Sequence, residues 1–254
     1  KKIMSKDKIL PSLNLVVLLG AIFLSYYSNT GAMNGNTMGS LSNQYDNLFT
    51  PAGYAFSIWG FIYIGLLGNA IYLIRNSGKD YVNTQSKWLT IANFGNCAWV
   101  FLWLYEFTAL STLAMAIILF SLFKLTVSIQ IGFQKHSLWV WWPISIYAGW
   151  IIVALVANIT AYLSKIGWKG GFSEITWAVA ILAIAFLIYL FLLLKRRLSY
   201  ATYVGVWAFA AIAIKQWGEV DVIGWSATVL AALLFVLTVW KDFQIRMALK
   251  ESHS

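Results

Sequence analysis

Long apolar runs separated by short polar and basic clusters dominate the chain. A helix that crosses a bilayer needs ~20 mostly apolar residues. Eight runs meet that length, at roughly 9–28, 52–74, 88–106, 109–133, 138–163, 175–194, 198–215 and 222–240. The seventh is the shortest and is rich in Ala and Gly. None alternates apolar and polar positions with the period of two that a membrane β-barrel requires. The pattern therefore predicts an all-α polytopic membrane protein of about eight transmembrane helices. The first run has a basic start like that of a signal peptide. It is long for one, however, and no small-x-small site follows it, so it is read as a retained helix. Residues 29–50, which include NTGAMNGNTMGSLSNQYDN, form the longest stretch without apolar periodicity and are expected to be an irregular external loop.

Composition agrees with this reading. Of the 254 residues 60% are apolar and 11% charged, too few polar groups to cover a soluble globule. Nucleic-acid binders, disulfide scaffolds and cytosolic enzymes are thereby excluded as classes. The net charge of +9 acts as an orientation signal instead. Lys1, Lys2, Lys6, Lys8, Arg75, Lys79, Lys87, Lys135, Lys195, Arg196, Arg197, Lys241, Arg246 and Lys250 fall on one side of the predicted spans. Lys165, Lys169 and Lys215 fall on the other, and Lys124 lies within a span. The positive-inside rule then places both termini in the cytoplasm. A single cysteine, Cys97, leaves no intrachain disulfide and no thiolate metal site.

Polar groups inside spans are costly and face protein or a cavity. Asn69, Asn93, Asn96 and Asn158 are of this kind, and interhelical hydrogen bonding or cavity lining would each account for them. Thirteen of the 14 tryptophans divide by depth. Trp88, Trp139, Trp141, Trp142, Trp168, Trp217, Trp225 and Trp240 sit near span ends, as an interfacial belt does, whereas Trp59, Trp99, Trp103, Trp150 and Trp207 lie deeper. Trp99 and Trp103 share a helix face with Asn96, and Trp150 shares one with Asn158. Faces that combine Trp with Asn suit a flat, partly polar ligand held by stacking and a few hydrogen bonds.

These residues resemble the TspO/MBR family, the tryptophan-rich sensory proteins that include the mitochondrial translocator protein. The second span, TPAGYAFSIWGFIYIGLLGNAIY, fits that family's P-x-G-x-x-F-x-x-W-x-x-x-Y pattern through Pro51, Gly53, Phe56, Trp59 and Tyr63, with Gly68 beyond. Asn96 and Trp99 match N-x-x-W, and Trp150, Ala154 and Asn158 match W-x-x-x-A-x-x-x-N. Two departures stand out. Pro51-Ala52 replaces the paired prolines of many members, and Pro143 lies seven residues before Trp150 rather than four. The resemblance covers roughly residues 9–163. It implies a five-helix bundle over 1–165 whose 29–50 loop covers a ligand site, three additional helices over 166–240, and a cytoplasmic tail over 241–254. It further implies residence in a bacterial inner membrane as a long member of the family. The implied function is a membrane-embedded sensor or carrier of a porphyrin, sterol-like or isoprenoid-like molecule. Pro51, Gly53, Phe56, Trp59, Tyr63, Asn96, Trp99, Trp103, Trp150 and Asn158 are its candidate ligand-binding residues.

Competing chemistries find little support. His136 and His253 lie in a loop and at the tail, so neither reaches a mid-membrane pocket as an iron ligand. No carboxylate lies deep in a span, which leaves no acid–base dyad, no counter-ion for a Schiff base on Lys124 and no catalytic residue to name. Lys124 is read as snorkelling and Lys215 as interfacial. Glu106, at the outer end of the third span beside Trp103, is the carboxylate best placed to sit under the loop. No obligatory cofactor and no metal are expected, a bound porphyrin or similar ring being the candidate ligand. The expected partners are the bilayer and a hydrophobic small molecule. A homodimer or a larger membrane complex is also open, in which the chain would be an accessory subunit contacting its neighbours through Ala208, Ala210, Ala211 and Ala213. A slow photo-oxidative breakdown of a tetrapyrrole is a third reading. A cholesterol-type pattern at Val156, Tyr162 and Lys165 is too degenerate to weigh.

Overall fold

The computed structural model describes residues 6–168 and 170–251. Lys1, Lys2, Lys169 and His253, used in the sequence reading, lie outside the described residues. Among the described residues the chain is all-helical: α1 (Lys6–Tyr27), α2 (Met38–Gln44), α3 (Ile58–Arg75), α4 (Asp80–Leu104), α5 (Thr108–Ser128), α6 (Leu138–Lys165), α7 (Glu174–Arg196), α8 (Ser199–Gln216) and α9 (Asp221–Glu251). The eight long helices correspond to the eight apolar runs. This is a polytopic α-helical membrane protein.

Six of these helices, α1, α3, α5, α6, α7 and α9, are long and apolar enough to cross a membrane by themselves. The other two, α4 and α8, carry more polar and small residues, and their surroundings explain why. In α8, eleven of 18 residues are buried against other helices, among them Ala208, Ala211 and Ala213. A helix sheathed by protein is under less pressure to be apolar than one facing lipid. Three of the four alanines singled out on α8 are thus packed within the chain, while Ala210 is half-buried. In α4, Gln85, Ser86, Asn93 and Asn96 are all buried, and the helix begins at Asp80, eight residues ahead of the apolar run.

The inner helix of the bundle is α6, which packs against α3, α5 and α8, while α1 and α5 flank α4, and α7 and α9 flank α8. A Cβ on Gly149 would come within 2.7 Å of the Ala201 carbonyl oxygen, so α6 and α8 cross at backbone distance. A Cβ on Gly68 would overlap the ring of Trp139 at 2.2 Å, which lets α3 lie close to α6. Pro143 sits inside α6 and has no N–H, so it frees the carbonyl of Trp139 four residues earlier. Asn69 of α3 donates to that oxygen at 2.7 Å. The other intramembrane asparagines also tie helices together: Asn93 donates to Asn14 of α1 at 3.1 Å, and Asn96 to the Tyr63 hydroxyl of α3 at 3.0 Å.

The segment between α1 and α3 departs from its expected irregularity. Thr37 and Ser40 form a reciprocal capping box that starts α2. Leu41, Tyr45 and Phe49 turn inward and are buried, and a 3-10 helix (Gly53–Ser57) leads into α3. Returning Leu41 and Phe49 to water would cost about 1.5–3 kcal/mol each, so the segment is a packed lid rather than a slack tether.

Candidate functional site

Beneath the lid lies a chamber of about 340 Å³. Its walls come from α1, α3, α4 and α6, and its roof from Met38, Ser42, Tyr45 and Thr50 of the lid. Phe56 of the 3-10 helix and Trp59, Gly60 and Tyr63 of α3 line it. Trp99 and Trp103 of α4 face them, and Trp150, Ala154 and Asn158 of α6 close the inner side. Helical spacing makes this wall: residues three and four apart share a face, so each helix presents a strip to the chamber.

The aromatic rings are arranged as layers. Trp59 stacks on Trp99 with centroids 6.0 Å apart and planes 21° from parallel, and on Tyr63 at 5.4 Å and 27°. Tyr147, fully buried behind them, meets Trp59 edge-on at 6.0 Å. Phe56 meets Trp150 edge-on at 5.8 Å, and Tyr45 of the lid leans on Trp103 at 6.1 Å.

Polar groups at the chamber are mostly committed to protein partners. The Asn158 carbonyl accepts from Trp99 Nε1 at 3.0 Å and from Ser111 Oγ at 3.1 Å, while its amide donates to Ala154 O at 2.9 Å. Asn158 therefore orients the Trp99 ring. Asn96 stands behind Tyr63 rather than at the surface, and the Tyr63 hydroxyl also bonds Ser25 Oγ of α1 at 2.5 Å. Of the ten residues picked from sequence, Phe56, Trp59, Tyr63, Trp99, Trp103, Trp150 and Asn158 converge on the chamber. Asn96, Pro51 and Gly53 do not line it. Pro51 is buried and Gly53 opens the 3-10 helix, so these two shape the junction of lid and α3. Trp207, grouped by depth with the chamber tryptophans, lies instead on α8, where its indole N–H donates to Ala55 O at 3.2 Å.

Sequence reasoning expected the loop over the site but named no lining residue on α1 or on the lid. Ile22, Ser25, Tyr26 and Asn29 fall at helical spacing on one face, and a small polar Ser within an apolar run was the available signal. Tyr45 had no signal beyond its place in the loop.

Two clasps hold the lid from opposite sides. Tyr45 donates its hydroxyl to Glu106 Oε2 at 2.5 Å, and Gln44 reaches the same oxygen at 3.4 Å. Glu106 occupies the α4–α5 turn with φ of 60°, a left-handed conformation that disfavours a side chain. Lys165, at the end of α6, donates to the Glu106 carbonyl oxygen at 2.6 Å. The bond from Tyr45 and the nearby Lys165 ammonium hold the Glu106 carboxyl below the usual carboxylate range. Burial and the same bond push the Tyr45 phenol up to about 12. On the other side, Asp46 pairs with Lys215 of α8, and Ala52 N donates to Ala211 O at 3.2 Å. The lid is thus fastened to both halves of the bundle.

A family model described as TSPO-like protein matches residues 10–240. The chain belongs to the TSPO-like family. The match runs beyond the first five long helices and takes in α7, α8 and most of α9, so it includes the helix α8 that fastens the lid. No curated protein and no solved structure matches the chain.

Proposed function

We propose that this TSPO-like protein binds a hydrophobic, ring-shaped small molecule within the membrane, as a sensor or carrier. Tetrapyrroles and sterol-like or isoprenoid-like molecules are the leading classes. The observation that carries the reading is the stacked Trp59–Trp99 pair, which walls a chamber of about 340 Å³ under a packed lid. Pockets for small molecules are mostly apolar, largely preformed and of roughly 300–1,000 Å³, which places this chamber at the smaller end. With Asn158 already bonded to Trp99 and Ser111, binding rests on aromatic contact, and the asparagine sets the ring's angle. The basic residues at the helix ends opposite the lid orient that face toward the cytoplasm of a bacterial inner membrane, with the lid outside.

Titration of purified protein with protoporphyrin and, separately, with the fluorescent sterol dehydroergosterol tests the reading through tryptophan fluorescence. Saturable quenching by at least one of the two is expected. The double variant Trp99→Phe, Trp150→Phe should weaken it about 10-fold or more, since stacked or edge-on aromatic contacts are worth about 0.5–1.5 kcal/mol each beyond their buried area. Unchanged affinity in that variant would remove the chamber as the site.

A further inference from the structure

The chamber's chemistry and its opening narrow the ligand class, an inference that rests on the reading of the chamber as a ligand site. Among the described residues that line it, none is Asp, Glu, Lys, Arg or His. Lys165 stands outside, with its ammonium 5.8 Å from the centroid of the Tyr45 ring that forms the roof. A ligand carboxylate inside would be desolvated with no cation to pair it, which is strongly unfavourable.

The opening lies to the side. Among the described lining residues, Tyr26, Asn29 and Gly60 are the exposed ones, and they belong to the end of α1 and the start of α3. Tyr26 is 77% exposed, and a Cβ on Gly60 would meet nothing within 4 Å. The neighbouring outward residues on these helices, Phe23, Phe61 and Ile64, are apolar and more than half exposed, as a lipid-facing surface requires. Toward water the roof is closed: Leu41, Tyr45 and Phe49 are buried, and the lid is clasped at Glu106 and at Lys215.

We infer that the ligand is an uncharged molecule dissolved in the bilayer, and that it enters sideways between α1 and α3, past Gly60 and Tyr26, with the lid staying shut. Entry from the bilayer spares the molecule a passage through water and leaves the lid's apolar side chains buried.

The test uses a matched pair of flat probes, 1-pyrenebutyrate and its methyl ester, with the full chain in proteoliposomes and energy transfer from tryptophan to pyrene followed by stopped flow. The ester should bind at least 10-fold more tightly than the carboxylate at pH 7.5. Gly60→Leu, which places a side chain in the mouth, should slow association and dissociation of the ester together by several-fold, and Tyr26→Ala should speed both. The lid variant Lys215→Met should leave both rates within about twofold. Equal affinity for the two probes overturns the uncharged class. Entry rates that respond to Lys215→Met and ignore Gly60→Leu overturn the lateral route. If protoporphyrin, a dicarboxylate, binds in the chamber, or if dehydroergosterol binds while the ester does not, this inference falls and the ligand-chamber reading stands. If no probe binds, both fall.

Discussion

Asn158 illustrates how one side chain serves two helices. Its carbonyl accepts two buried donors, Trp99 Nε1 and Ser111 Oγ, and its amide returns to its own helix at Ala154. Asn158→Leu leaves Trp99 Nε1 without an acceptor, whereas Ser111 Oγ keeps the Thr108 carbonyl at 2.9 Å, and it should destabilise the protein by about 1–3 kcal/mol, read as a lower thermal midpoint in detergent. The Trp99 ring, no longer held, should also show a shifted emission maximum. Glu106 works by charge. Because its carboxyl is held below the usual range, its bond with Tyr45 stabilises the closed lid above the ordinary carboxyl pKa of about 4.3 and is lost as pH falls through the lower, folded value. Tyr45 has the opposite sign: its raised value keeps the phenol protonated, so its contribution is full below about 10 and disappears as pH rises through about 12. Between these limits the clasp should be insensitive to pH. Protection from hydrogen exchange over residues 38–50, taken relative to the intrinsic rate at each pH, should fall below about pH 4, and in Glu106→Leu it should be low at every pH.

Among the helices, the pairing of Pro143 with Asn69 turns a helix defect into a contact. The proline costs α6 one internal hydrogen bond, and α3 supplies the replacement donor. Asn69→Leu should therefore cost about 1–3 kcal/mol by leaving the Trp139 carbonyl orphaned. Adding Pro143→Ala restores an N–H within α6 to that carbonyl, and the double variant should recover most of the loss. Purely additive effects in the thermal midpoints would contradict the assignment. The same logic accounts for much of the polar content of the membrane segments, since Asn69, Asn93, Asn96 and Asn158 each bond a neighbouring helix. Their presence was plain from sequence, but their partners were not. Asn96 is the instructive case: it shares a helix face with Trp99, yet its amide serves Tyr63 from behind. Helical periodicity assigns a face without saying what stands in front of it.

For the molecule as a whole, α8 decides how the lid is held. The Asp46–Lys215 pair and the Ala52–Ala211 backbone bond join the lid to a helix about 160 residues further along the chain. The ion pair is partly exposed and is worth at most about 1 kcal/mol. Lys215→Met should thus raise hydrogen exchange in residues 45–50 several-fold without lowering the global midpoint measurably. Asp46→Asn should do the same, and combining the two should add little, as expected for one shared contact.

The sequence by itself determined the membrane class, the eight long helices and the tryptophan positions that converge on the chamber. Those properties depend on local apolar length and on helical spacing, which a single chain segment carries within itself. Tertiary structure alone decided that residues 29–50 fold into a capped, apolar-packed lid, that α8 fastens it, that Trp207 serves the lid rather than the chamber, and that the chamber opens between α1 and α3. Each of these depends on which distant segments meet. A capping box, a buried leucine or an unpaired carbonyl acquires its role only from the neighbour that packing brings to it.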